Sequence, residues 1–334
     1  MLNNLHGSQS SQAETIQTNL ENLYNIFIRP ISDLLDGMKP EDKLIFALDD
    51  DLTNVPFSIL LDSQTGRYLI ENHTISFTPA LPVLGQCNER FKSMAQALKR
   101  VEPSVALGDP AYRQVKKRLV HTLDEVTKIS KFFKDGRVKV ITGPEASIDN
   151  LLNFANLPVD TVQGFVHIAA HGLVNQENRS GSLLLADSKI KYKDPQPMKF
   201  NTHYDSLSQS SFHQCDEELV ESDDQTFDDT LSKFEMLGVG CVRGGSTSEL
   251  TKKDKEGGIL RSENIVRLGF EWRSRMVVLS ACNTAKGCVL KTKGVMGLPR
   301  AFLVAEVPCV VASQWSLDDE ASSELMQKFY EEMS

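Results

Sequence analysis

Basic charge is scarce in this sequence: 36 Lys and Arg stand against 45 Asp and Glu, a formal net charge of -9. Such a chain has no broad cationic surface to neutralise a phosphate backbone, so nucleic acid is not expected as a direct partner. Long apolar runs are missing as well. No eighteen apolar residues follow one another, and the opening MLNNLHGSQS lacks the apolar stretch of a secretory signal. No membrane partner is expected, and the protein reads as cytoplasmic. Cysteine is sparse, at positions 87, 215, 241, 282, 288 and 309, with no C-x-x-C pair. That spacing excludes a zinc ribbon and a thioredoxin-type motif, and the low density suits a reducing compartment.

The signatures of several chemistries are also absent. Neither a G-x-x-x-x-G-K-[ST] loop nor a G-x-G-x-x-G fingerprint stands at a strand end, which removes the main support for nucleotide binding. No G-x-S-x-G elbow occurs, so a serine hydrolase is unsupported. His167 and His171 lie four positions apart in an apolar run. On a strand that spacing is roughly 13 Å, too far for one ion to be shared. HIAAH also lacks the glutamate of a zincin helix, and neither a metal nor any other cofactor is expected.

What is there is ample apolar material, 40% of 334 residues, enough for a sizeable core and against global disorder. Residues 1–19 read as a polar leader without structure, and 20–334 as one domain, with 20–100 an N-terminal subdomain and 101–334 the core. In residues 20–37, Leu20, Leu23, Ile26, Phe27, Ile31, Leu34 and Leu35 recur at helical spacing, and Pro30 interrupts them, predicting a bent or broken helix. KLIFALDD (43–50), VPFSILLD (55–62) and RYLIENHTISFTPA (67–80) are short apolar runs between turn residues and read as strands.

From residue 104 short apolar strands alternate with helical segments. VALGD precedes a helix with Leu119, Leu123, Val126, Ile129 and Phe132 on one face; RVKVIT (137–142) is the next strand, and Ser147 is placed to N-cap a short helix. QGFVHIAAH (163–171), a helix at about 259–269, RMVVLSAC (275–282), a helix around 297–305 and PCVVASQW (308–315) complete the series. Continuously apolar strands are those buried on both faces of a parallel sheet. The expected fold class is therefore α/β, a mostly parallel sheet flanked by helices on both faces.

Residues 193–256 interrupt this series with a segment rich in Ser, Asp, Glu and Gln. It can pack little core and is expected to be an acidic, disordered insertion or a lid. It reads either as a tolerated surface loop or as a regulatory element, with Arg243, Lys252 and Lys253 as candidate sites of self-processing.

In an open parallel sheet, reactive groups gather beyond the carboxyl ends of the strands. FVHIAAHG ends in His171 and Gly172, and VVLSACNT ends in Cys282, so a base and a thiol share one rim if the two strands are neighbours. An imidazole within reach can take a thiol's proton, and the backbone N–H groups of Gly172 and Cys282 are candidate donors to an oxyanion. Cysteine is also among the most buried residue types, so packing alone could account for Cys282. Cys288 nearby leaves a redox pairing open. Asp318, Asp319 and Glu320 follow SQWSL, where they either favour a helix N-terminus or line a pocket for a basic side chain.

Together, VPFSILLD, GRYLIENHTISFTPALPVL, ALGDPAY, FVHIAAHG, GSLLLAD, VVLSACNTAKG, GVMGLPRAFLVAEVPCVVASQWSLDDEAS and LMQKFYEEM resemble the CHAT domain. That domain is a caspase- and separase-like peptidase module usually found with tetratricopeptide repeats. The resemblance implies a caspase-like sheet, a His171–Cys282 dyad with Gly172 at the oxyanion, and intracellular regulated proteolysis of protein or peptide substrates. It places Asp318 or Asp319 where relatives accept a basic P1 side chain, implying cleavage after Lys or Arg. It further implies tetratricopeptide repeats in a longer parent protein. The alternative is a catalytically silent scaffold or interaction module on the same fold. The sequence departs from the family in its acidic insertion, in Pro299 within the helix near 297–305, and in ending at Ser334 before the C-terminal helices expected of relatives.

Overall fold

The computed structural model describes residues 2–48, 52, 55–96, 100–112, 119–155, 157–158, 161–174, 181–186, 258–267, 272–281, 288–290, 294–315 and 318–334. Cys282 and the whole 193–256 insertion lie outside the described residues. Helix α1 (Leu2–Phe27) leads into a 3-10 turn at Arg29–Ile31 and then α2 (Ser32–Asp36), so the expected break falls at Pro30. α1 takes in residues 2–19, where a structureless leader was expected. No proline interrupts that stretch, and a helix anchored in the core at Tyr24 and Ile28 propagates back through it once nucleated.

Beyond α2 come β1 (Lys43–Ala47), a 3-10 turn at Phe57–Ile59, β2 (Leu61–Asp62), β3 (Arg67–Tyr68), α3 (Leu69–Asn72) and β4 (Thr74–Thr78). VPFSILLD is thus mostly a turn and not a strand. Phe57 and Leu60 are both buried in one cluster with Tyr24, Ile28, Leu35 and Leu69. Residues three apart share a face in a 3-10 turn, whereas an extended chain would point them to opposite sides. RYLIENHTISFTPA likewise divides, because Glu71 accepts the N–H of Tyr68 at 2.6 Å and caps α3 between two strands. β1 and β4 pair in parallel, and α4 (Leu81–Gln96) then leads to the core, tied to it by an Arg90–Glu306 ion pair at 3.0 Å.

The core runs β5 (Arg100–Glu102), β6 (Ser104–Pro110), α5 (His121–Lys131), β7 (Val138–Gly143), α6 (Ile148–Ala155), β8 (Thr161–Gln163), β9 (Val166–Ala169), β10 (His171–Val174) and β11 (Gly181–Leu184). It continues through β12 (Ile259–Arg261), α7 (Ser262–Arg267), β13 (Val277–Ser280), β14 (Cys288–Leu290), β15 (Gly294–Met296), α8 (Leu298–Val304), β16 (Val310–Ala312) and α9 (Asp319–Met333). Five of these strands form one sheet in the order β16-β13-β9-β6-β7, every pair parallel. Ranked by position in the chain, that order reads 2-1-3-4-5 from the β7 edge, a doubly wound sheet whose direction of winding reverses between β6 and β9.

Alternation along each strand divides the core in two. Val105, Leu107, Val166, Ile168, Val277 and Leu279 face the side that carries α6, α7 and α8, where Trp272 and Phe302 are fully buried. Ala106, Ala169, Phe165 and Val278 face α5 and α9. Burying a side chain such as Leu107 or Phe302 contributes about 1.5–3 kcal/mol, so these two layers hold the sheet that carries the site.

Two departures from the expected elements bear on that site. The run QGFVHIAAH breaks at Ala170: Val166–Ala169 belong to the parallel sheet, whereas His171 opens β10 in a separate antiparallel sheet, β10-β11-β12. The helix expected from Ile259 begins as β12, turned into that sheet by Gly258 at φ 67. A Cβ on Gly258 would stand 2.3 Å from the carbonyl oxygen of Leu185, so only glycine fits.

Candidate functional site at the sheet's switch point

Crevices at the carboxyl ends of strands where winding reverses are the usual ligand sites of open α/β sheets. Here the reversal lies between β6 and β9, and His171 opens β10 one residue past the end of β9. β9 pairs with β13 in register, Ala169 opposite Ser280. His171 and Cys282 each lie two positions beyond that pair in the sequence, so the strands that precede the expected base and thiol are neighbours. The backbone just before Cys282 is held, since the hydroxyl of Ser313 donates to the carbonyl of Ala281.

Gly172 sits opposite Leu183 in the β10–β11 pair. Leu185 donates its N–H to Gly258 across β11–β12. Backbone groups alternate in direction along a strand, so Leu183 also faces β12 while Ser182 and Leu184 face β10. Gly172 follows His171 in β10, beside β11.

The end of β6 contributes a second wall. Asp109 is 7% exposed and adopts φ 48, a left-handed conformation costly for a residue with a Cβ. It is held there by its N–H donating to the Thr122 hydroxyl on α5 at 3.1 Å, while Ala111 donates to the carbonyl of Gly143 at 3.0 Å. This turn carries Tyr112 across to His171. The N–H of His171 donates to the Tyr112 hydroxyl at 3.3 Å, and the two rings lie 5.2 Å apart at 51°. Burial pushes the pKa of Tyr112 far up; the His171 hydrogen bond works against that, and the charges of Asp109 and Asp319 add to it. Tyr112 is thus a neutral hydroxyl at any working pH.

Asp318 and Asp319 lie at the start of α9. Asp318 is its N-cap, with Oδ1 accepting from the N–H groups of Glu320 and Ala321, each at 3.1 Å. Asp319 accepts the N–H of His121 through Oδ2 at 3.1 Å, joining the first turns of α5 and α9, and its charge reaches Tyr112. Both acids therefore serve helix ends, the bland possibility, and Asp319 does so at the rim. Neither Tyr112 nor Ser313 was singled out from the sequence. Tyr112 stands in coil with no periodic signal, and its one cue was its place just past the carboxyl end of the first core strand.

The other thiols are differently placed. Burial raises the pKa of Cys87, with the Cys309 thiolate charge adding to it; Cys309 is an exposed residue, and the packing around its sulfur raises its pKa against an opposing pull from Lys43. Both are free, and both are poor nucleophiles at neutral pH. Cys288 lies in the backbone of β14, while Cys215 and Cys241 lie outside the described residues. Among the described residues, no group of three or more His, Cys, Asp and Glu is placed to hold a metal ion, and no helix is long and apolar enough to cross a membrane.

The family model of the CHAT domain matches residues 17–225 and 236–334. The chain belongs to the CHAT domain family. CHAT domains are caspase-like and related to cysteine peptidases, and they are typically associated with tetratricopeptide repeats. The doubly wound parallel sheet agrees with that membership. No curated protein matches the chain in sequence.

Proposed function

We propose that this CHAT domain is a caspase-like cysteine endopeptidase in which His171 and Cys282 react as a pair. The observation that carries the proposal is the in-register parallel pairing of β9 with β13 beside the switch point, with each residue two positions beyond the Ala169–Ser280 pair. His171 takes the thiol proton of Cys282, and the thiolate attacks the scissile carbonyl carbon to form a C–S bond. The N–H groups of Gly172 and Cys282 stabilise the oxyanion. The C–N bond then breaks, the amine leaves with the proton carried by His171, and a water deprotonated by His171 hydrolyses the thioester to regenerate the thiol.

Asp319, and less directly Asp318, supplies negative charge for a Lys or Arg at P1. Substrates are cytoplasmic proteins, presented by tetratricopeptide repeats in a longer parent chain. The acidic insertion at 193–256 gates access, and trimming at Arg243, Lys252 or Lys253 relieves it. The test is digestion of a mixed peptide library by wild type, Cys282→Ala and His171→Ala, with cleaved bonds read by mass spectrometry. Cleavage after basic residues that both variants abolish is the expected result. Cleavage retained in Cys282→Ala overturns the mechanism, and folded wild type that cleaves nothing favours a silent interaction module.

A further inference from the structure

A base that shuttles a proton between a thiol and a leaving amine must hold its ring in one orientation, yet an imidazole at a strand end has several staggered χ1 wells and a broad χ2. His171 is only partly buried, so packing alone does not select one. The chain supplies a restraint from β6: the Tyr112 ring lies against the imidazole and its hydroxyl accepts the His171 N–H. The turn that delivers Tyr112 is itself over-determined. Asp109 is held at φ 48 by Thr122 of α5, and Ala111 is bonded to Gly143 at the end of β7. Strain of this kind persists where the surroundings enforce it, and it gathers at functional sites.

We infer that Tyr112 is the positioning residue of the histidine base, clamping the backbone of His171 through its hydroxyl and the imidazole through its ring. This rests on the peptidase reading above. Tyr112 exchanges no proton itself, because burial keeps its hydroxyl neutral. Its contribution is therefore to the fraction of molecules with the imidazole aimed at the thiol, a quantity that affects turnover and thiolate formation and leaves peptide affinity unchanged.

The experiment compares wild type, Tyr112→Phe and Tyr112→Ala, each checked for folding by thermal melting. Two readouts are taken: kcat and KM on a peptide that wild type cleaves, and the pH dependence of Cys282 alkylation by iodoacetamide, located by peptide mass spectrometry. We expect kcat to fall about tenfold in Tyr112→Phe and about a hundredfold in Tyr112→Ala, with KM within about twofold. The acid limb of the alkylation profile should move to higher pH in the same order, as the imidazole's hold on the thiolate weakens. If a folded Tyr112→Ala protein keeps the wild-type kcat and the wild-type alkylation profile, the inference is wrong. Should wild type cleave no peptide, the peptidase reading fails, and the alkylation profile alone still decides for or against Tyr112.

Discussion

The Nε2 atom of His167 lies 2.7 Å from a carboxylate oxygen of Glu125, and both side chains are shut off from solvent beneath the strand that leads to His171. The Tyr330 hydroxyl stands 3.2 Å from the other ring nitrogen of His167, so α5, β9 and α9 share one buried polar contact. The neighbour alternation of β9 turns His167 away from the site and towards these helices. Its companion His171 lies four residues on and serves a different sheet.

Removing a partner from such a network leaves a buried polar atom unsatisfied. Tyr330→Phe should destabilise the domain by about 1–3 kcal/mol, and Glu125→Ala by about 3–5 kcal/mol. Urea denaturation with an unchanged m-value checks this; losses below about 0.5 kcal/mol for both would mean that the network contributes nothing of note.

A pH effect is expected in the N-terminal subdomain. Burial works to raise the pKa of Asp62, but the N–H of Gln64, the guanidinium of Arg29 and the hydroxyl of Thr65 outweigh it and hold the carboxyl below its ordinary 3.8. A depressed carboxylate stabilises the fold above its unfolded-state pKa, and that contribution is lost as pH falls through the folded-state value. Wild type should therefore lose more melting temperature than Asp62→Asn between about pH 5 and about pH 2. Parallel curves would count against the Asp62 contacts.

Close packing of α5 on β6 couples stability to the site. A Cβ on Gly108 would stand 2.7 Å from the Thr122 carbonyl oxygen and 2.8 Å from a Val126 methyl. Gly108→Ala should push α5 outward, cost about 1–3 kcal/mol, and disturb the Asp109 turn that carries Tyr112. Differential scanning calorimetry together with peptide hydrolysis reads both effects; a variant as stable and as active as wild type would show that the helix has room to move.

The two rim acids should separate. Asp318→Ala removes an N-cap and should cost about 1 kcal/mol with little change in the P1 preference. Asp319→Asn should keep most of the stability, since an amide oxygen can still accept from His121, and should lower kcat/KM for Lys and Arg at P1 by about tenfold or more relative to an apolar P1. Equal losses across all P1 residues would remove Asp319 from substrate recognition.

Much of the core was legible because its strands are buried on both faces. Leu107, Ile168 and Leu279 stand in apolar runs that periodicity detects, Ser147 accepts the N–H of Asn150 as the cap it was expected to be, and Pro299 falls in the first turn of α8, where a missing N–H costs nothing. The N-terminal subdomain was less legible. Phe57 and Leu60 belong to a turn whose burial depends on α1, and Gly258 opens a strand only because β11 lies beside it. In the proposed site, His171 and Gly172 are suggested by a strand end, whereas the contact that Tyr112 makes with His171 is not legible in the sequence. Its place depends on the left-handed turn at Asp109 and on the adjacency of β6 and β9, a long-range pairing with no local trace in the chain.

The pairing of His171 with Cys282 is tested most directly by intact-protein mass spectrometry after exposure to a peptidyl-lysine chloromethyl ketone at neutral pH. One adduct on Cys282 is expected, formed at least about a hundredfold more slowly in His171→Ala, with Cys87 and Cys309 unmodified. Labelling of His171→Ala at the wild-type rate, or modification of Cys87 or Cys309 in preference to Cys282, would contradict it.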